Sequence, residues 1–366
     1  MRIIHPQLTI RVIMKARILV TSAAGKTGIP TTLGLLKKGF RVRAFVRQRD
    51  ARSQLLEEAG AELFVGDMFL YRDMHKALKD VQRAYVCPPP GPNTAHFAAV
   101  FVTAARESQL EHVVTLSQWL SAHDHLASTT REAWLLDKMI EAIPNITHTI
   151  NEVGFFADNY FGGLAAAAQL GMLAMPLGPP ELKGNAPPSN EDIAAVSVAC
   201  LADPKTHAGQ RYRPTGPKLL SNNEIAEIIG KALGRTVTYT DAPEWMFLKV
   251  MQADGTNPTM MTQFRLYLHE YQRGTFAVNA PNDVVRTVTG REPESFETIA
   301  KRMIHNNPEA VRSTRNWFAT VKGMLGVLLT STPSVQAIEQ SGDHVVITDG
   351  AYANASEDWA HLHNST

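Results

Sequence analysis

The sequence predicts an α/β fold with a doubly wound parallel sheet, and three observations predict it. Short apolar, strand-like runs alternate with helical patterns through residues 17–153, leaving no room for hairpins, so consecutive strands must be joined by right-handed crossovers. The run Arg17-Ile18-Leu19-Val20 leads through Thr21-Ser22-Ala23-Ala24-Gly25-Lys26-Thr27-Gly28 into a helix, the signature of a buried strand, a tight turn and a helix N-terminus. With 366 residues, 44% of them hydrophobic and 19% charged, the composition is globular and suffices for one large or two ordinary domains.

The elements follow in order. A first strand ends at Val20, and a helix over 29–38 carries Pro30 in its first turn and Gly39 as its stop. A second strand covers 41–46, a helix 50–59, and a third strand 61–65 ends at Gly66-Asp67. A short helix over 73–78 precedes a fourth strand, 83–86, stopped by Cys87-Pro88-Pro89-Pro90. A helix over 93–108 has apolar Phe97, Val100, Phe101 and Ala104 on one face; strand five covers 112–116, a helix 129–142 and strand six 146–153. The first half is therefore Rossmann-like, and ligands of such sheets bind beyond the carboxyl ends of the strands.

The pattern then changes. Residues 162–188 are rich in Gly, Pro and Ala and predict irregular surface structure away from the sheet. Ser189 or Asn190 caps a helix through Leu201, and Ser221 with Glu224 forms a capping box for a helix stopped at Gly234. Residues 236–240 alternate like a strand, with further helices over 245–251, 258–269 and 296–306. The predicted organisation is an N-terminal extension (1–14), a dinucleotide-binding domain (15–160), a smaller mixed α/β substrate region (161–312) with strands able to return to the main sheet, and a C-terminal extension (313–366). In that extension Trp317, Phe318, Val321, Met324 and Leu325 fall at helical spacing and require a cover, either their own domain or a second subunit or protein partner. Residues 335–338 and 344–347, joined through Ser341-Gly342-Asp343, predict a hairpin.

Bulk properties exclude several classes. Lys+Arg 36 against Asp+Glu 35 gives a net charge of +1, with no basic face to draw nucleic acid or anionic lipid. Residues 323–329, the longest apolar run, fall far short of a bilayer span, so no membrane partner is expected. Cys87 and Cys200 have neither metal-ligand nor redox spacing, which predicts a reduced, cytoplasmic protein. Residues 1–14 carry charges and a proline and do not read as a signal peptide; Met14 is a second candidate start. No nucleophile elbow or Walker turn occurs, and no metal site is expected, since His123 and His125 lack further ligands at suitable spacing and are better placed at a substrate entrance.

The turn at 22–28 is the candidate anion site. N–H groups at a helix N-terminus point outward and the helix dipole is positive there, so a pyrophosphate is favoured where small residues let it approach. Ser22, Ala23, Gly25, Lys26, Thr27 and Gly28 are the predicted cofactor-binding residues, with Ser22 standing where the fingerprint has its first glycine. Past the second strand, an acidic residue would hold a ribose 2′-hydroxyl and an arginine a 2′-phosphate; here it is Arg47, with Lys26 as a second cation. Both favour NADP(H), although both also read as solvated cations, and Asp50 keeps NAD(H) open as the less favoured cofactor. Asp67 reads either as an acceptor for the adenine amino group or as a helix cap. Cys87 and Pro88 lie where a cofactor ribose would pass or simply end the strand, and Ser117 directs its hydroxyl at the same crevice. Lys138, on the helix after strand five, reads either as a cofactor-binding lysine that reaches the nicotinamide ribose and, with a lowered pKa, transfers a proton, or as a surface lysine paired with a carboxylate.

These residues together resemble the NmrA-like family of atypical short-chain dehydrogenase/reductases, which is related to isoflavone-reductase-like and quinone-reductase-like proteins. The resemblance spans residues 15–307 and rests on Val20 through Gly28, Ala44-Phe45-Val46-Arg47, Val65-Gly66-Asp67, Val113-Val114-Thr115-Leu116-Ser117, Lys138 with Glu141, Gly154-Phe155-Phe156-Ala157-Asp158-Asn159, and 219–234. It implies a Rossmann domain holding NADP(H) by the glycine turn, with Arg47 on the 2′-phosphate and Lys138 as acid/base without the tyrosine of ordinary short-chain dehydrogenases. The position four before Lys138 is Trp134. Two functions follow. One is an NADP(H)-dependent reductase passing hydride to a small apolar or aromatic acceptor such as a quinone or enone, with Lys138 and Ser117 catalytic and Phe155, Phe156 and Asn159 bordering the substrate. The other is an NADP(H)-sensing regulator that binds cofactor and a protein partner without turnover; a scaffold with a vestigial cofactor site is a third, weaker reading.

Overall fold

In a computed structural model, which describes residues 15–89, 91–341, 347 and 349–364, strands and helices alternate as the patterning requires. The order is β1 (Arg17–Val20), α1 (Gly28–Lys37), β2 (Arg41–Val46), α2 (Ala51–Glu58), β3 (Glu62–Val65), α3 (Tyr71–Ala77), β4 (Arg83–Val86), α4 (Thr94–Arg106), β5 (His112–Gln118), α5 (Ser128–Glu141) and β6 (Thr147–Val153). Then come α6 (Leu164–Leu170), β7 (Met172–Met175), α7 (Asn190–Ala202), α8 (Pro204–His207), β8 (Arg211–Tyr212), α9 (Asn222–Leu233) and β9 (Thr238–Asp241). The chain closes with α10 (Glu244–Ala253), α11 (Pro258–Gln272), α12 (Val284–Thr289), α13 (Phe296–His305), α14 (Thr314–Leu329), α15 (Val335–Gln340) and α16 (Glu357–Asn364).

Among the described residues the main sheet has seven strands in the order β3-β2-β1-β4-β5-β6-β8, all parallel. The order reverses between β1 and β4, and at that switch point the crossovers leave a crevice at the carboxyl ends. Val113 of β5 packs with Leu136 and Ile140 of α5 on one face, while Val114 packs with Val196 and Val198 of α7 on the other. The α7 helix approaches α1 closely: a Cβ on Gly34 would lie 3.0 Å from Val198. Both α7 and β8 thus return from the second region to complete the main sheet.

Three sequence expectations are corrected here. The stretch 162–188 is not irregular throughout: its alanines build α6, ended by Gly171 at φ +76°, and β7 pairs in parallel with β9 in a second, two-stranded sheet. Alanine is the strongest helix former, and its excess there was outweighed by the neighbouring Gly and Pro. Residues 335–338 form the start of helix α15, not a strand, because Ser334 caps them and Val335 and Ile338 face the Leu248–Met251–Met261 cluster one helical turn apart. The other half of that hairpin, like the proposed extension at 1–14 and Pro90, falls largely or wholly outside the described residues. Finally, α14 does form where the apolar spacing predicts a helix, yet none of its residues is buried.

Candidate functional site

The turn between β1 and α1 is pinned from both sides. The Thr21 N–H donates to the Tyr85 carbonyl of β4 and the Ala23 N–H to the Phe45 carbonyl of β2. Thr21 Oγ1 accepts from the Cys87 N–H at 2.8 Å, and Ser22 Oγ donates to the Cys87 carbonyl at 2.9 Å. Ser22 has φ +47°, the left-handed conformation that a glycine would adopt without cost, which explains why the fingerprint has glycine there and how a serine replaces it. Its carbonyl folds inward: a Cβ on Gly25 would lie 3.0 Å from it, and one on Gly28 only 2.2 Å. Gly28 is therefore obligatory. Thr27, the N-cap of α1, makes no side-chain cap, because its hydroxyl accepts from Tyr85 Oη at 3.0 Å, and the first turn carries no acidic residue. An anion is the partner this N-terminus lacks. Burial pushes the Cys87 thiol up to about 11, so this residue contributes its backbone and not a thiolate.

Beyond β2 the charges separate into engaged and free. Asp50 caps α2 by accepting from the Arg52 and Ser53 N–H groups, and it pairs with Arg52. Arg49 pairs with Glu57. Arg47 is exposed and has no partner among the described residues. Asp50 is thus withdrawn from the role that would favour NAD(H). Lys26 does not add to the Arg47 charge; its ammonium pairs with Asp158, in the short turn after β6, on the far side of β1 from β2. Asp67 caps its own turn, accepting from the Phe69 N–H at 2.9 Å through Oδ1.

At the ends of β5 and β6 the structure rearranges the predicted chemistry. Lys138 points outward: Nζ donates to Glu141 at 2.9 Å, lies over the Trp134 ring at 5.8 Å, and the side chain is 46% exposed. It is the paired surface lysine, not a desolvated acid/base. Its neighbour Asp137 points inward, fully buried, and accepts from Ser117 Oγ at 2.6 Å and Ser121 Oγ at 3.2 Å, while its Oδ1 has no partner. Burial raises this carboxyl to about 7. Alongside, buried Glu152 of β6 pairs with Arg211 and Arg213, and Arg211 reaches on to Glu141. The sequence reading missed Asp137, although Ala133, Leu136 and Ile140 mark the inner face of α5 and place 137, not 138, upon it.

The substrate residues divide. Phe155 is a core residue: its ring lies 5.3 Å from Tyr160 and 5.1 Å from Tyr271, centre to centre, and is almost fully buried. Phe156 is half-buried and Asn159 exposed, both in the turn that follows β6. His125 is fully buried and so does not line a substrate entrance; both of its ring nitrogens are engaged. Buried, it sits 2.9 Å from Glu270 and accepts from the Ala127 N–H; Glu270, despite burial, is held below the usual carboxylate range by hydrogen bonds from His125, Thr275 and the Ala353 N–H.

That last contact comes from the C-terminal segment, which returns across the loop after β5. The Leu126 N–H donates to the Ala351 carbonyl, and the Ala351 N–H to that of Asp124. Ser356 Oγ donates to Asp124 at 2.8 Å and Trp359 Nε1 to the Trp119 carbonyl at 2.8 Å. Trp359 and His363 stack at 3.8 Å and both are buried. A segment with no sequence signal of its own therefore lies over the loop after β5.

An uncapped helix N-terminus at the switch point of a parallel doubly wound sheet, with small residues under it and a free arginine beyond β2, defines a dinucleotide-binding α/β protein. Residues 14–277 match the NmrA-like family, and the chain belongs to it. Over 293 residues it is 28% identical to an NAD(P)H azoreductase of Xenophilus azovorans, covering 78% of this chain and 96% of that protein. Its fold is that of an NADPH-dependent quinone oxidoreductase of Escherichia coli solved with NADPH (TM-score 0.67, 19% identity, 78% of this chain and 99% of that one). It is also that of NmrA, a negative transcriptional regulator solved with NADP (TM-score 0.60, 14% identity, 81% and 100%).

Proposed function

We propose that this chain is an NADP(H)-dependent reductase that passes hydride to a small apolar or aromatic acceptor of the quinone or enone type. The observation that carries this reading is the pairing of an uncapped α1 N-terminus with an unpartnered Arg47 one strand away. The names of the relatives, an azoreductase and a quinone oxidoreductase, agree with it. The bound nicotinamide would supply the hydride. The chain's residues do the rest: the N–H groups of Ala24, Lys26, Thr27 and Gly28 receive the pyrophosphate, those of Ala23 and Gly25 being held by the Phe45 and Ser22 carbonyls, Arg47 receives the 2′-phosphate by a bidentate contact, and the free Oδ2 of Asp67 the adenine amino group. Cys87 and Pro88 border the ribose, and Phe156 and Asn159 border the acceptor. With Lys138 committed to Glu141, the proton that follows the hydride would come from Ser117 Oγ, which passes its own proton to the acceptor and takes one in exchange from the Asp137 carboxyl that burial favours in its protonated form.

Titration of the wild type and Arg47→Ala with NADPH and NADH tests the cofactor assignment. The variant should lose roughly tenfold or more in NADPH affinity, the size of one charge-assisted contact, with NADH little changed; equal weakening of both would remove the phosphate role. A quinone, enone and azo-dye panel with NADPH tests turnover. One observation favours the second reading, a cofactor-sensing regulator: neither tyrosine nor free lysine faces the crevice from α5. Tight NADPH binding without oxidation by any acceptor would move the assignment to that class.

A further inference from the structure

The net charge of +1 conceals a local imbalance. Residues 310–338 contain no Asp or Glu but carry Arg312, Arg315 and Lys322, all exposed and none with a partner among the described residues. On α14 itself the large apolar side chains face outward: Phe318 is 62% exposed and Leu329 87%, with Trp317, Leu325 and Leu328 beside them. The helix is held to the body by its more polar side, where Asn316, Thr320 and Val327 are half-buried and α6 and α10 make the contact. At its C-terminal end Lys249 of α10 donates to the Leu328 carbonyl, which brings exposed Trp245 alongside and extends the apolar face.

Phe318, Lys322, Leu325 and Leu329 follow one another at helical spacing along the outermost line, a cation set among apolar groups. A lysine there keeps its ammonium at a polar boundary while its stem and neighbours enter an apolar phase. Tryptophan, phenylalanine and leucine with unpaired Lys and Arg and no carboxylate are the composition of a helix lying in a lipid interface. A second copy of the same face would set three cations against three with no carboxylate from this segment to answer them. We propose that α14 docks flat on an anionic lipid surface. This differs from the expectation of no membrane partner because that expectation rested on whole-chain charge and on spanning length; no helix among the described residues is long and apolar enough to cross a bilayer, and a surface helix needs neither.

The full chain is sedimented with vesicles of phosphatidylcholine containing phosphatidylglycerol, and with phosphatidylcholine alone, at low and high salt. Each cation near such a surface adds about fivefold to partitioning, so the anionic vesicles should be preferred by roughly a hundredfold at low salt, with the preference collapsing at high salt. Two variants alter only exposed side chains. Arg312→Gln/Arg315→Gln/Lys322→Gln should lose the anionic preference, and Phe318→Gln/Leu325→Gln/Leu329→Gln should lose binding, both with unchanged NADPH affinity. Equal binding to the two vesicle types, or binding that survives the apolar variant, overturns the proposal. So does a wild-type dimer that ignores vesicles and dissociates in the apolar variant, which would give the face to a second copy.

Discussion

Ser22 carries the tension of the cofactor turn. A non-glycine residue in the left-handed region costs about 1–2 kcal/mol, and the hydrogen bond from its hydroxyl to the Cys87 carbonyl returns about 1 kcal/mol. Ser22→Ala keeps the cost and loses the bond, so it should destabilise by about 1 kcal/mol, whereas Ser22→Gly loses both and should stay within about 1 kcal/mol of the wild type; urea unfolding separates them. Gly28→Ala, with its Cβ driven against the Ser22 carbonyl, should abolish NADPH binding in a titration. Asp137 is the other residue with a definite consequence. Burial raises it to about 7 from 3.8, so the folded state holds a proton that the unfolded chain releases. The stability this contributes is complete in acid below the unfolded value and is lost as pH rises towards 7. Asp137→Asn, which cannot ionise, should therefore gain stability relative to the wild type on going from about pH 5 to about pH 8, by denaturant unfolding at each pH. A constant difference would show that the carboxyl is not held neutral.

At the scale of elements, α5 and the C-terminal segment enclose the carboxyl end of β5 and the loop after it. A rotation of one residue along α5 separates an inward Asp137 from an outward Lys138, so the helix presents to β5 a buried carboxyl and gives its lysine to Glu141. The C-terminal segment is held by paired backbone groups at Leu126 and Ala351 and by the indole of Trp359 against the Trp119 carbonyl. Trp359→Ala empties a site that is almost fully enclosed and should cost about 3–5 kcal/mol by chemical denaturation. Unchanged stability would mean that the segment merely rests on the loop.

At the scale of the molecule, the chain folds back on itself twice. The segment carrying α7 and β8 returns to cover one face and one edge of the main sheet, and residues 350–363 return to the loop after β5. The first return was partly legible, since the cap at Ser189 and the apolar pattern after it announce a helix, while a two-residue strand such as β8 leaves no period to detect. The second was illegible: Ala351 acts through its backbone alone, Ser356 and Trp359 are isolated, and the partners of all three lie more than two hundred positions away. The β1–α1 turn lies at the other extreme. Its need for Gly28 is local, set by the Ser22 carbonyl six residues back, and residues 17–28 announce it, whereas Ser22 is held by the Cys87 carbonyl, 65 residues on, which they do not.

The sequence by itself determined the parallel α/β sheet, the β1–α1 turn and the arginine after β2, because strand and helix periods and glycine spacing act between near neighbours. It also located an apolar helix in the C-terminal extension. Only the tertiary structure decided which way each side chain points: that Lys138 goes out and Asp137 in, that Lys26 answers Asp158, that Phe155 belongs to the core, and that α14 turns its apolar face to solvent. Those outcomes depend on burial and charge pairing between elements distant in the chain, and no local period encodes them.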